Sequence, residues 1–97
     1  MAEPATYQLE SISDISKAEL MHEQLENFLS SGVSVAVDAS QVERIDTSAM
    51  QVLMALNTTL RKQELTASIV NPTENFLSTA RLLGVTDELV IVKNEKV

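Results

Sequence analysis

Cysteine and tryptophan are absent from this 97-residue chain, and glycine, proline and aromatic residues are scarce: two Gly, two Pro, one Tyr and two Phe. Without cysteine there is no disulfide, no thiolate nucleophile and no cysteine-ligated zinc. With Gly32 and Gly84 as its two glycines, the chain has no glycine-rich loop to cradle a phosphate. Aromatics make up 3% of a composition that is 44% hydrophobic, so the core must be built from Leu, Val, Ile, Ala and Met. No apolar run reaches the roughly 18 to 20 residues of a membrane span. The N-terminal Met1 to Thr6 lacks the basic and apolar regions of a signal peptide. Cations are outnumbered, seven Lys and Arg against fourteen Asp and Glu, for a net charge of −7. Arg44, Arg61, Lys62, Arg81 and Lys93 are scattered. This balance opposes attraction to nucleic acid or to an anionic membrane. A soluble cytoplasmic protein, with no nucleic-acid partner and no membrane insertion, is the expectation.

What is present is one domain's worth of alternating strand and helix signals. The length supports a single core, and no repeat, linker or low-complexity tract divides residues 1–97, whose organised part spans about residues 6–92. Thr6 to Ser11 alternates weakly, as a short edge strand does. Ser16 and Glu19 have the spacing of a capping box, and Ala18, Met21, Leu25, Phe28 and Leu29 follow helical periodicity toward Gly32. Val33 to Asp38 is small and β-branched, as a buried strand is. Helix-like sequence runs from Thr47 or Ser48 to about Lys62. Leu65 to Val70 predicts another buried strand, and Asn71-Pro72-Thr73-Glu74 a helix start with Asn71 as cap and Pro72 at the first helical position. Phe76, Leu77, Ala80 and Leu83 make that helix's inner stripe, Gly84 closes it, and Leu89 to Val92 is a last strand. The order β-α-β-α-β-α-β predicts an α/β fold with helical crossovers between parallel strands.

The segment Ile45-Asp46-Thr47-Ser48-Ala49 concentrates the chemistry. It places three cap-competent side chains at one helix start, where unpaired N–H groups and the helix dipole favour negative charge. A phosphate on a hydroxyl here would meet both effects, and would add about 1.5 to 2 negative charges beside Asp46. By local chemistry alone the same residues are an ordinary helix cap. Along the helix behind it, Ala49, Val52, Leu53, Leu56 and Leu60 share a core face, with Gln51, Thr58 and Lys62 opposite. Met50 and Met54 fall on the flank. There they either fill a seam with a neighbouring helix or offer an adaptable apolar contact surface beside the turn.

No other residue builds a site. His22, the single histidine, sits near the edge of the first helix's inner stripe without metal-ligating companions. Glu19, Glu23 and Glu26 form a solvated helix face. Asp38, at a strand end where ligands gather in open α/β sheets, has Asp46 across the loop as its one companion and no nucleophile or base. The expectation is no catalytic residue, no metal and no cofactor.

These motifs resemble the hallmark of STAS domains. A strand ends in Asp38-Ala39-Ser40, a short loop follows, and Ile45-Asp46-Thr47-Ser48-Ala49-Met50-Gln51-Val52-Leu53 opens a helix where the family has D-[ST]-[ST]-G-L. Leu60 to Lys62, the strand Leu65 to Val70, the Asn71-Pro72 turn, and Leu82-Leu83-Gly84-Val85 with Leu89 fall where the family has counterparts. The resemblance implies a central mixed, mostly parallel sheet of about four strands covered by helices. It implies a non-enzymatic interaction module similar to anti-sigma-factor antagonists. Their second turn hydroxyl, here Ser48, is phosphorylated by a partner-switching serine kinase of the GHKL type, with Thr47 and Asp46 as its neighbours in the recognition turn; together with the helix reading, the expected partner-binding set is Asp46, Thr47, Ser48, Ala49, Met50 and Met54. In relatives that serve lipid transport the first hydroxyl, here Thr47, meets a transporter ATPase subunit, and other relatives serve chemosensory complexes. A monomer or weak dimer fits either. The usual Gly-Leu is replaced by Ala49-Met50, and alanine's higher helix propensity stiffens the turn. The N-terminal part is short, so the family's leading hairpin is reduced to a single strand. A phosphate- or nucleotide-binding role for the same helix start ranks last for want of glycines.

Overall fold

The computed structural model describes residues 5–92, so Lys93 lies outside the described residues. Its elements are β1 (Ala5–Gln8), β2 (Ile12–Ser13), α1 (Ile15–Leu29), β3 (Val35–Asp38), β4 (Arg44–Ile45), α2 (Thr47–Lys62), β5 (Ala67–Val70), α3 (Glu74–Leu83), a 3-10 turn (Thr86–Glu88) and β6 (Val90–Val92). The main sheet has the order β1-β3-β5-β6, and every pairing in it is parallel. The mostly parallel sheet of about four strands implied by the resemblance is present, and among the described residues each of its pairings is parallel. A helix separates each strand from the next, and such a crossover returns the chain in the same direction.

The helices lie on one face of the sheet. In β3 and β5, Val35, Val37, Ala67 and Ile69 are buried, while the alternating Ala36, Asp38, Ser68 and Val70 are only half-buried. The molecule measures 35 × 33 × 22 Å. Its shortest dimension fits one sheet layer and one helix layer, each about 10 Å deep. Against the inner face pack Met21 and Leu25 of α1, Leu53, Leu56 and Leu60 of α2, and Phe76, Leu77 and Ala80 of α3. The aliphatic core read from composition is present, with Phe76 its largest fully buried side chain.

Three helix boundaries differ from the sequence reading, each for a local reason. Asp14, not Ser16, caps α1: its carboxylate accepts from Ser16 N at 3.0 Å and from the Ser16 hydroxyl at 2.6 Å. The Ser16 hydroxyl is itself a donor to that carboxylate, so it is engaged on the first turn rather than capping it. α1 ends at Leu29 with Ser30 as its cap, and Gly32 (φ +72°) turns the chain afterwards. Thr73, not Asn71, caps α3, its Oγ1 accepting from Phe76 N at 3.1 Å and donating to Val42 O at 2.7 Å. Asn71 instead takes the left-handed conformation (φ +50°) that asparagine tolerates. Gly84 does close α3, at φ +71°. Leu83, expected inside, is 38% exposed.

Candidate interaction surface at the start of α2

A second, two-stranded ribbon positions the turn. β2 and β4 pair in parallel, Ile12 opposite Arg44 and Ser13 opposite Ile45. Each strand leads through an aspartate into a helix, β2 through Asp14 into α1 and β4 through Asp46 into α2. Asp46 N donates to Ser13 O at 3.1 Å, which carries the pairing to the edge of both helices. The ribbon thus sets the N-termini of α1 and α2 side by side, a feature absent from the sequence reading. Its two-residue strands are too short for alternation to reveal.

Asp46 is the cap of α2, in extended conformation (φ −111°, ψ −177°), with Oδ1 accepting from Ala49 N at 3.1 Å. Its Oδ2 accepts from Ile15 N at 2.9 Å, at the start of the other helix. Both oxygens of this carboxylate are therefore engaged by backbone donors. Thr47 is exposed and Ser48 half-buried. Neither hydroxyl has a hydrogen-bond partner among the described residues. The rim of the turn carries charge and apolar surface together. Ile15 is 72% exposed and Ile12 44%, and Lys17 pairs with Glu10 at 2.5 Å. Asp14 is held below the usual carboxylate range, first by the Ser16 hydroxyl bond and then by the Ser16 N–H and the nearby Lys17 and Arg44 charges. The Glu10 pair pushes the Lys17 ammonium above its ordinary value.

The structure divides the sequence-predicted contact set. Asp46, Thr47 and Ser48 lie together at the helix start, but Ala49 is fully buried and Met50 is 1% exposed. Helical phase puts Met50 on the flank, either in a seam with a neighbouring helix or on a contact surface. It belongs to the core cluster, on a helix that packs against α1, β5 and α3, and burial of a Met side chain is worth about 1.5–3 kcal/mol. Met54 is half-buried against the core. Asp38 Oδ1 accepts from Ser40 N at 2.9 Å in a local turn. His22 is exposed, with its Nε2 3.7 Å from Glu26 Oε2. Asn57, which sequence reasoning passed over, is 3% exposed and donates from Nδ2 to Glu88 O at 2.8 Å, tying α2 to the 3-10 turn. Its position between Leu53 and Leu60 on the core face was the available signal. Among the described residues, no group of three or more His, Cys, Asp or Glu side chains could hold a metal ion. No helix among them is long and apolar enough to cross a membrane.

A one-sided α/β domain with a capped, hydroxyl-bearing helix start at its surface defines the class: a small parallel-sheet domain whose chemistry is displayed at a turn. Residues 2–93 match the family model described as Mlab, STAS domain, and the chain belongs to the STAS-domain family. A crystal structure of a candidate anti-sigma factor antagonist from Thermotoga maritima superposes with a TM-score of 0.76 at 18% identity, covering 95% of this chain and 75% of that one. At that identity the likeness speaks for the fold. A comparison with curated proteins finds no match.

Proposed function

We propose that this chain is a non-enzymatic, cytoplasmic interaction module of the anti-sigma-factor-antagonist kind, switched by phosphorylation of Ser48 and recognised through Asp46, Thr47 and Ser48. The carrying observation is the pair of uncommitted hydroxyls on the first turn of α2 beside a carboxylate whose oxygens are both occupied. A serine without a structural bond can be modified without unfolding its surroundings. A phosphate there gains from the helix start while adding about 1.5 to 2 negative charges next to Asp46, enough to repel a partner fitted to the unmodified turn. The partner in this reading is an anti-sigma factor or serine kinase of the GHKL type. Incubation with the candidate kinase and ATP should place one phosphate on Ser48 by mass spectrometry, and Ser48→Asp should abolish kinase binding. Phosphate elsewhere, or Ser48→Asp binding as the parent does, refutes the reading.

One observation favours a second reading. Thr47 is the more exposed of the two hydroxyl residues, as suits a permanent contact in a constitutive subunit of a lipid transporter or chemosensory complex. Binding to a transporter ATPase subunit would then survive Ser48→Ala and be lost in Thr47→Glu. The nucleotide-binding role gains nothing from the geometry, because no glycine-rich loop precedes α2 to cradle a nucleotide's phosphates.

A further inference from the structure

Asp46 is bonded to two helices at once. Oδ1 makes the ordinary cap of α2, whereas Oδ2 reaches Ile15 N, thirty-one residues earlier in the chain. Ile15 is the first residue of α1, so its N–H is one of the donors that no carbonyl of its own helix can satisfy. α1 also has its own cap in Asp14, whose Oδ1 accepts from both the N–H and the hydroxyl of Ser16. The Asp46–Ile15 bond is therefore an addition to the caps. It fastens the first turn of α1, with its exposed Ile15 side chain, to the turn that carries Thr47 and Ser48.

We propose that Asp46 is a positioning residue that couples the state of the Ser48 turn to the first turn of α1: negative charge added at Ser48 loosens the Asp46–Ile15 bond and changes how Ile15 is presented to a partner. The proposal rests on the reading of Ser48 as the switch. A phosphate two residues from Asp46 repels its carboxylate and competes for the N–H donors of α2's first turn. Those donors can be served by the phosphate oxygens. Ile15 N, on the other helix, has Asp46 as its acceptor, so its bond is the one that weakens. The switch would then alter a surface wider than the modified residue, with the apolar Ile12 and Ile15 included in what a partner reads.

Two variants of the full chain test this without a kinase. Asparagine caps helices about as well as aspartate, but it replaces one of the two accepting oxygens with an NH2 that cannot accept, so the oxygen that keeps the α2 cap leaves the NH2 facing the Ile15 N–H. In Asp46→Asn the Ile15 amide proton, held downfield by a carboxylate acceptor, should move upfield in a two-dimensional NMR spectrum, while the Leu53 and Leu56 resonances of mid-α2 stay in place. Ser48→Glu, with Ser48→Asp as a second charged variant, should shift the Ile15 amide in the same direction, and Ser48→Gln should not. An Ile15 amide unmoved in Asp46→Asn, or unmoved in both charged Ser48 variants, overturns the coupling. Loss of kinase binding in Ser48→Asp with an unmoved Ile15 amide leaves the phospho-switch standing and overturns the coupling alone.

Discussion

Truncating Met50 to alanine separates a core residue from a docking residue. At 1% exposure Met50 touches protein on all sides. The substitution deletes three side-chain heavy atoms, and at about 0.8 kcal/mol for each buried methylene-sized group the lost transfer energy is about 2.4 kcal/mol. A residual cavity adds to that, so about 3 kcal/mol is expected, inside the roughly 2–5 kcal/mol of buried Met→Ala substitutions. For a chain of this size about 4–8 °C is lost per kcal/mol, so the melting temperature should fall by about 12–24 °C. Met54→Ala, at a half-buried position, should cost about 1 kcal/mol. Urea and thermal unfolding followed by far-ultraviolet circular dichroism measure both. A Met50→Ala protein within about 0.5 kcal/mol of the parent would behave as a surface variant. That result would refute the burial and return Met50 to the contact surface.

Two further outcomes follow from the caps. Thr73→Ala removes both the α3 cap and the donor to Val42 O, and should cost about 1–2 kcal/mol in urea unfolding, with Thr73→Ser recovering most of it; equal losses in the two variants would show that the hydroxyl is not the cause. Asp14, whose carboxyl is held low in the folded state, contributes stability that is present above the ordinary carboxylate range and is lost as pH falls through its folded value. Asp14→Asn keeps a cap but not the titration, so its urea midpoint should decline less steeply than the parent's below about pH 4. Parallel acid limbs would contradict this.

The alternation of strands and helices was legible because each βα unit carries its own signal. Val35 and Val37 are β-branched in a short apolar run, and α2 holds its core stripe at helical spacing. Gly84 was legible because a left-handed helix end favours glycine. Cap identities were less so, since Asp14, Ser16, Asn71 and Thr73 are all cap-competent and tertiary partners decided among them. Thr73 gained its place through Val42 O, and Asp14 by accepting both donors of Ser16. Of the candidate site, Asp46, Thr47 and Ser48 were readable as a capped start, and the family resemblance gave them meaning. The burial of Met50 was readable only as one of two alternatives, because helical phase gives the angle of a residue and not which neighbouring element covers it. The bond from Asp46 to Ile15 was not readable, because it depends on a two-residue strand pairing.

The strand order β1-β3-β5-β6, with its helices on one side, has a consequence for where this domain can do chemistry. In open α/β sheets that bind nucleotides, the order reverses partway across. Helices then depart to opposite faces, and the crevice between them at the strands' carboxyl ends receives the ligand. Here each strand of the main sheet lies beside its predecessor and the order never reverses among the described residues. There is no topological switch point, and the diverging loops that would form its crevice do not arise. What the carboxyl end of β3 leads to instead is a short ribbon and the start of α2, where Thr47 is exposed.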